Sequence, residues 1–200
     1  KILVVIGSQS RKYWYESNID PGILSWSAQK NFLENIIKLS KHLDNTFIII
    51  RYKNLLWTGN KYFENLLNKI NDSENIVISN CYDESLYVYQ LCANADLVIA
   101  LYTSLADECL STGIPVLFYE YTHNSQKILL DFPNYLPSKL FCYSYEDLYQ
   151  KSKSILFLDP NNFKNEIKEL NEKIYNFDDK KNTKKKIIDD LEDQLIEAKI

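Results

Sequence analysis

The sequence predicts an α/β fold, a Rossmann-like parallel sheet flanked by helices. Short runs of consecutive apolar residues alternate along the chain with segments whose apolar positions recur at helical spacing. Such runs are typical of strands buried on both faces, and their alternation with helices indicates right-handed βαβ crossovers. Apolar residues make up 46% of the 200 residues, enough for a large core. We expect this domain over residues 1–160, followed by a charged helical extension over residues 161–200.

Each strand is predicted from its own apolar run, and each helix from its own apolar stripe. The predicted strands cover residues 2–6, 47–50, 76–78, 97–101 and 115–119, with an edge strand at 140–143. The predicted helices cover residues 26–43, 61–70, 85–93, 105–112 and 145–155. We expect Gly113 to end the fourth helix, because glycine is common just past a helix end. Ser144 and Asp147 predict a capping box at the start of the fifth.

The charge and the cysteines argue against several classes of function. A net charge of −4 and a pI near 5.3 are unusual for a dedicated nucleic-acid binder. Cys81, Cys92, Cys109 and Cys142 are scattered, which argues against a zinc site and favours buried thiols in the reducing cytoplasm. No apolar run is long enough to span a membrane. Since Lys1 is not a methionine and directly precedes a strand, we expect a piece of a longer protein.

Polar and basic residues follow the first two predicted strands, at the edge where open parallel sheets bind ligands. Gly7 and Ser8 follow the first strand, and Arg51 and Lys53 follow the second. Lys53 shares the side of Arg51, because side chains alternate along a strand. An arginine in this position can hold a phosphate through two parallel hydrogen bonds, the alternative being an ordinary surface ion pair. These residues predict a site for an anionic ligand.

Residues 103–108, after the fourth strand, are the most informative segment. We expect Ser104 to be the N-cap of the next helix, with Asp107 completing a capping box. The hydroxyls of Thr103 and Ser104, with the amides of the helix start, predict an anion site. Glu108 lies in the first helical turn, where the spacing leaves two interpretations. It is either a partner of the helix dipole or an acceptor for the hydroxyls of a sugar diol beside the phosphate.

This region resembles the donor site of glycosyltransferases of the GT-B fold. The pattern Ser104-x-x-x-Glu108-x-x-x-x-Gly113-x-Pro115-Val116 follows the strand at 95–99. The amino-acid sequence of this segment, A-D-L-V-I…T-S…E…G-I-P-V, is most similar to the donor-site sequences of transferases that assemble capsule, lipopolysaccharide and other surface glycans. The resemblance extends over roughly residues 2–121. It implies that the chain is the C-terminal, donor-nucleotide-binding half of such an enzyme.

The resemblance also implies a role for each residue at a matching position. Thr103 and Ser104 would hold the donor phosphates, and Glu108 would bind the nucleotide ribose. Gly7 and Ser8 match the small-residue loop that faces the phosphates in that family. These are expectations from the family, and they add chemical detail to the anion site that the residue types predict.

The implied substrate is a nucleotide-activated sugar, linked to UDP or CMP, with no cofactor and no metal. The resemblance implies a glycan acceptor held by an N-terminal domain before Lys1, which would also supply the general base, so we name no catalytic residue. The full protein would be cytoplasmic, with peripheral association at the inner face of the membrane as one option. One departure is Arg51-Tyr52-Lys53, which stands where many surface-glycan transferases carry Lys/Arg-x-His-Pro. The cation is kept there, but the role of the histidine is not carried over.

Two other functions compete with this interpretation. A sugar-nucleotide epimerase-like domain would need a histidine and carboxylates in the cleft, and the chain has only two histidines, one of them the isolated His123. A non-catalytic flavodoxin-like module would predict an acidic pocket at the end of the first strand, which instead ends in Gly7-Ser8-Gln9. Tyr13 and Trp14, in the first loop, suit either stacking on a ligand or apolar cover for the sheet.

Overall fold

The computed structural model describes residues 1–7, 25–80, 87–101, 103–120, 138–158 and 160–174. Within these residues, six strands form one sheet in the order β3-β2-β1-β4-β5-β6, and every neighbouring pair is parallel. The strands are β1 (Ile2–Gly7), β2 (Phe47–Tyr52), β3 (Ile76–Ile78), β4 (Leu97–Leu101), β5 (Val116–Tyr119) and β6 (Phe141–Cys142). This topology confirms the predicted Rossmann-like parallel sheet.

Helices connect the strands and cover the sheet. They are α1 (Trp26–His42), α2 (Glu64–Asn71), α3 (Tyr87–Ala93), α4 (Leu105–Ser111), α5 (Tyr145–Lys153) and α6 (Pro160–Ile174). Short 3₁₀ turns lie at Leu56–Gly59, Lys61–Phe63 and Ser138–Leu140, and a π-helical turn at Ser154–Leu158 follows α5. No helix of these described segments is long and apolar enough to cross a membrane.

The core lies on both faces of the sheet, as the continuous apolar runs predict. Leu3 and Val5 of β1 pack into one buried cluster with α1, α2 and α5. Val4 and Ile6, which point the other way, pack into a second cluster with α3, α4 and α6. Because side chains alternate along a strand, only a strand covered on both sides buries all of these residues.

The start of α2 differs from the sequence prediction. A helix was expected from residue 61, but residues 61–63 form a 3₁₀ turn and the α-helix begins at Glu64. The side chain of Asn60 accepts a hydrogen bond of 2.9 Å from the amide of Tyr62, which caps the tighter turn. Asparagine commonly accepts such a bond at a helix start, so the local sequence favours this short turn ahead of the helix.

The start of α5 agrees with the predicted cap in one of its two bonds. Ser144 Oγ accepts a hydrogen bond of 3.1 Å from the Asp147 amide, which confirms Ser144 as the N-cap. The reciprocal bond differs, because the carboxylate of Asp147 accepts from the amide of Tyr143, at 3.3 Å. Lys151 also pairs with Asp147 at 3.1 Å, which holds this carboxylate on the helix.

The predicted end of α4 at Gly113 is confirmed. Gly113 has a φ of 84°, in the left-handed region that favours glycine. Its amide donates to the carbonyl of Leu110, and the amide of Ile114 donates to that of Cys109, both at 3.0 Å. These two bonds form a Schellman motif, which satisfies carbonyls that a helix end leaves unpaired.

The predicted C-terminal extension begins with an ordered helix. Ile167 and Leu170 of α6 are buried in the second core cluster, against the same sheet face as α4. Lys139 and Glu166 form an ion pair that joins α6 to the segment before β6. Residues 175–200, the rest of the predicted extension, lie outside the described residues.

The register of the sheet brings three strand ends to the same level. Gly7, the last residue of β1, lies opposite Tyr52 of β2 on one side and Leu101 of β4 on the other. The chain leaves β1 and β4 in opposite directions along the sheet, since β2 and β5 lie on opposite sides of this pair. Such a reversal leaves a crevice at the carboxyl ends of the strands, where open α/β sheets bind ligands.

Candidate functional site

A cavity of about 390 Å³ occupies this crevice. Its lining includes six residues that the sequence predicted for the site, namely Gly7, Arg51, Lys53, Thr103, Ser104 and Glu108. The seventh, Ser8, lies outside the described residues, as do Tyr13, Trp14 and His123. The structure therefore brings the predicted residues of three strand ends together in one cavity. Their roles toward a ligand stay predictions.

The carboxyl end of β2 supplies the positive charge of the cavity. Arg51 is half-buried, and its Nη1 donates a hydrogen bond of 2.9 Å to the backbone carbonyl of Tyr52. A guanidinium has five N–H donors in a fixed plane, so it can hold this carbonyl and an anion together. Lys53 is exposed and makes no hydrogen bond or ion pair with the residues described. Its ammonium group is therefore able to turn toward a ligand in the cavity.

Gly7 has a packing role that the sequence did not reveal. A Cβ atom at this position would lie 2.6 Å from Cζ of Tyr52, far inside van der Waals contact. The Tyr52 side chain is only 2% exposed and packs against Trp57, with ring centroids 5.5 Å apart. Glycine therefore lets the tyrosine ring lie across the end of β1, at the edge of the cavity. This steric requirement for glycine is separate from the role toward phosphate that the sequence predicted for Gly7, which stays a prediction.

The turn before α4 differs from the predicted capping box. Ser104 has helical backbone angles, φ −62° and ψ −24°, and its side chain makes no capping hydrogen bond. The helical turn starts one residue earlier, because the amide of Ala106 donates to the Thr103 carbonyl at 3.1 Å. Ser104 therefore lies inside the turn, where its hydroxyl cannot cap the Asp107 amide in the usual N-cap geometry.

This correction also changes the predicted anion site. The amides of residues 106, 107 and 108 already donate to the carbonyls of Thr103 and Ser104. Helix α4 has only seven residues, and its first turn carries the carboxylates of Asp107 and Glu108. Negative side chains there oppose an anion at the same place. An anion in this cavity must therefore rely on the two cations of β2 and on the two hydroxyls, more than on the helix start.

Asp107, the neighbour of Glu108 in the first turn of α4, is a half-buried carboxyl group. Burial, and then the charge of Glu108, raise the pKa of Asp107 to about 6. Both causes disfavour the charged form, since burial removes water and the neighbouring carboxylate repels a second negative charge. The ionised form of Asp107 is therefore disfavoured in the folded protein. This differs from the sequence prediction, in which the Asp107 carboxylate completes a capping box.

Glu108, on α4, lines the cavity together with a residue that the sequence analysis missed. Tyr89 of α3 lines the same cavity, and its side chain is 46% exposed. The nearby Glu108 carboxylate raises the pKa of Tyr89, first through hydrogen bonding and then through its negative charge. The sequence predicted the helix, but nothing in it showed that this helix lies against α4. One indication of the orientation of this helix came from the sequence, which predicted that the thiol of Cys92, three residues later, is buried.

The cavity contains no metal-binding constellation within the described segments. No group of three or more histidine, cysteine, aspartate and glutamate side chains is placed there to hold a metal ion. The cavity instead combines cations, hydroxyls and one carboxylate with the apolar side chains of Ile6, Val88 and Leu105. This composition suits an organic ligand that carries an anionic group at one end and hydroxyl groups at the other.

Comparison with known proteins identifies the fold. No protein-family model and no curated protein sequence matches the chain. Among the solved structures that are similar to it, the first is a Listeria monocytogenes protein described as a UDP-N-acetylglucosamine 2-epimerase, with 13% identity and a TM-score of 0.52. The second is a mutant of the O-GlcNAc transferase from Thermobaculum terrenum, with 11% identity and a TM-score of 0.54.

These likenesses extend over most of this chain but only part of the other two. The first match covers 82% of this chain and 39% of the epimerase chain, and the second covers 85% and 32%. This chain therefore spans less than half the length of either structure. At these identities the similarity shows the fold, which agrees with the GT-B-type half-domain that the sequence resemblance implies.

Proposed function

We propose that this chain binds a nucleotide-activated sugar, linked to UDP or CMP, as the donor domain of a glycosyltransferase that assembles a surface glycan such as capsule or lipopolysaccharide. The observation that carries the proposal is the distribution of charge in the cavity. Arg51 and Lys53 reach the cavity from the end of β2, while Glu108 reaches it from α4, which follows β4, and β1 lies between these two strands. A nucleotide sugar has matching parts, namely anionic phosphates and neutral rings with adjacent hydroxyls.

The two cations suit the phosphates of such a donor. Hydrogen bonds in which a guanidinium or ammonium meets a phosphate oxygen are about twice as strong as neutral ones. The hydroxyls of Thr103 and Ser104 lie in the same cavity, and Ser104 is exposed. In a transfer reaction, these four groups would stabilise the charge that develops on the departing nucleotide.

Glu108 suits the ribose of the donor. An ionised carboxylate accepts hydrogen bonds and donates none, so it binds hydroxyl groups and repels phosphate. Of the two interpretations that the sequence left open for Glu108, the exposed position in the cavity supports the one that involves a diol. The cavity volume of about 390 Å³ falls within the range of small-molecule sites, roughly 300–1,000 Å³.

The proposed enzyme requires parts outside this chain. In our proposal the glycan acceptor and the general base belong to a separate N-terminal domain, and the full protein works in the cytoplasm, at the inner face of the membrane. The epimerase-like function is the second candidate, because one of the two similar structures is described as an epimerase. An epimerase would change one stereocentre of the sugar in the nucleotide sugar, whereas a transferase would move the sugar to an acceptor and release the nucleotide.

Calorimetric titration with UDP, CMP and the uncharged nucleosides uridine and cytidine tests the binding site. We expect one of the two nucleotides to bind at least about tenfold more tightly than its nucleoside, the gain typical of charge-assisted hydrogen bonds. The double variant Arg51→Ala/Lys53→Ala should lose that difference. Lys41→Ala, in the last turn of α1 at the opposite edge of the sheet, is the matched control. Equal affinity for each nucleotide and its nucleoside in the unmodified chain would refute the proposal.

A further inference from the structure

One part of the sheet has an uncovered face. The second core cluster, which α3, α4 and α6 form with Val4 and Ile6, lies over β1, β4, β5 and β6. From β2 only Ile49 packs against this cluster, and among the described residues none from β3 does. Parallel sheets occur almost only with helices on both faces, so an uncovered area on this sheet is unusual.

Four apolar side chains form this area, which we call the open sheet patch: Ile2, Phe47, Ile49 and Val77. Ile2 lies opposite Phe47 in the register of the sheet, and Ile49 lies opposite Val77. Alternation along each strand places all four on the face of the second core cluster. Ile2, Phe47 and Val77 are 38%, 42% and 42% exposed. Adjoining exposed apolar side chains of this kind mark a surface that packs against another element.

The open sheet patch is separate from the cavity. Ile2 and Phe47 are the first residues of β1 and β2, whereas the cavity lies at the carboxyl ends of these strands. A strand rises about 3.3 Å per residue, so the two ends of the six-residue β1 are about 17 Å apart. An element on the patch therefore leaves the cavity open.

The C-terminal segment, residues 187–200, has a sequence that fits such a surface. On a helix of 3.6 residues per turn, five of its apolar residues fall within an arc of about 100°, namely Ile187, Ile188, Leu191, Leu195 and Ala198. The other side carries most of the acidic residues, among them Asp189, Asp190, Asp193 and Glu197. This pattern predicts an amphipathic helix. A helix of this length is marginal alone in water, so it depends on a surface to pack against.

Helix α6 lies on the face of the sheet that carries the patch. Its residues Ile167 and Leu170 are buried in the second core cluster, and the helix ends at Ile174. Residues 175–186 reach at most about 40 Å when fully extended, whereas the six strands span roughly 25 Å. The connection is therefore long enough. Tethering also gives residues 187–200 an effective concentration in the millimolar range, which favours this segment over a free partner.

We propose that residues 187–200 form an amphipathic helix whose apolar stripe packs on the open sheet patch and completes the cover of the sheet. The segment would be helical only in contact with the patch, because its stripe has no other apolar surface to bury. This inference does not depend on nucleotide binding, since the patch and the cavity lie at opposite ends of the strands.

Hydrogen exchange of the full chain, followed by mass spectrometry, tests the proposal. Amides of residues 187–200 should exchange at least about tenfold more slowly than in an unstructured peptide of the same sequence, as expected for a docked segment that opens locally. The double variant Leu191→Lys/Leu195→Lys should lose this protection. Lysine is as good a helix former as leucine, so the loss would report packing. Ile196→Lys, on the opposite side of the predicted helix, is the matched control and should keep the protection.

A change on the sheet tests the other half of the contact. Val77→Lys should also remove the protection of residues 187–200, although it lies far from them in the sequence. Leu56→Lys makes an equivalent change at an exposed residue of a 3₁₀ turn and should have no effect on that protection. Slow exchange in β1 and β4 shows that each variant is folded. In urea denaturation, Val77→Lys should cost no further stability in the Leu191→Lys/Leu195→Lys background, because the contact is already lost.

Three results would overturn the proposal. The first is fast exchange of residues 187–200 in the unmodified chain. The second is protection that survives Val77→Lys, since the segment would then pack elsewhere. The third is protection that disappears on dilution together with a dimer in analytical ultracentrifugation, which would assign the patch to a second copy of the chain. Failure of nucleotide binding would overturn the proposed function and leave this inference intact.

Discussion

At the scale of single residues, the contact between Gly7 and Tyr52 determines the shape of the strand ends. The tyrosine ring lies across the last residue of β1, where any side chain would overlap its atoms. The ring is buried and packs against Trp57, whose own ring contacts Phe63 at a centroid distance of 5.4 Å. A displaced Tyr52 would therefore disturb an aromatic cluster beneath the cavity.

Replacement of Gly7 by alanine should destabilise the protein by about 1–3 kcal/mol, the usual cost of overpacking a buried site. Gly59→Ala is the matched control, because a Cβ atom at Gly59 would have no heavy atom within 4 Å. The control should change stability by less than about 0.5 kcal/mol, or increase it slightly. Urea denaturation followed by circular dichroism measures both changes, and equal stability of the two variants would contradict the close contact.

At the scale of elements, helix α4 combines a well-formed end with an unfavourable start. Its end has both Schellman bonds around Gly113, whereas its start lacks a side-chain cap and carries adjacent carboxylates. Only residues 102–104 connect β4 to this helix. Within this short connection the first helical turn already begins at Thr103, whose carbonyl accepts the hydrogen bond from the Ala106 amide. The cavity therefore lies beside the less stable end of the helix.

Asp107→Asn should stabilise the protein at neutral pH. Burial raises the pKa of Asp107 to about 6 from 3.8, so the unfolded chain loses this proton first as the pH rises. The folded state therefore loses stability between about pH 4 and pH 6, and the penalty is complete above that range. Because the group is only half-buried, water screens part of the effect, and we expect a gain of about 1 kcal/mol.

Thermal unfolding across this pH range checks the prediction. The variant should melt about 2–4 °C higher than the unmodified chain at pH 7.5, and the difference should vanish near pH 4. Asp44→Asn, at an exposed loop position, is the control and should melt like the unmodified chain at every pH. A destabilising effect of Asp107→Asn at pH 7.5 would show that the ionised carboxylate has a favourable partner.

At the scale of the whole molecule, one sheet organises both the core and the site. The two buried clusters lie on opposite faces of the same six strands, and the cavity lies at the edge where β1 meets β2 and β4. A ligand in the cavity would contact the ends of β1 and β2 together with residues of α3 and α4, which are distant in the sequence. Binding should therefore stabilise the entire domain, and not one local segment.

We expect the purified chain to bind a nucleotide sugar without transferring the sugar. The reason is that Glu108 is the one carboxylate among the described residues of the cavity, and our proposal assigns it to the ribose. Mass spectrometry of UDP- and CMP-sugars incubated with the chain and simple glycan acceptors should show no product. A rise in melting temperature in the same samples is the control for binding. Turnover that disappears in Arg51→Ala/Lys53→Ala would contradict this prediction.

The sequence by itself determined the features that depend on near neighbours in the chain. The strands follow from continuous apolar runs, the end of α4 follows from Gly113, and the start of α5 follows from Ser144. Each of these depends on residues at most about five positions apart, so the local pattern contains the information. The convergence of Arg51, Thr103 and Glu108 on one edge also follows from sequence, because parallel strands place their carboxyl ends together.

Only the tertiary structure decided how distant segments meet. Three features depend on the rotation and offset of packed elements: the ring of Tyr52 over Gly7, the helical start at Thr103, and the position of Tyr89 in the cavity that Glu108 also lines. Those quantities result from the packing of many side chains from remote parts of the chain, and no local pattern encodes them. The sequence therefore predicted which residues reach the cavity from each strand end, whereas the packing of α3 determined that Tyr89 lines the same cavity.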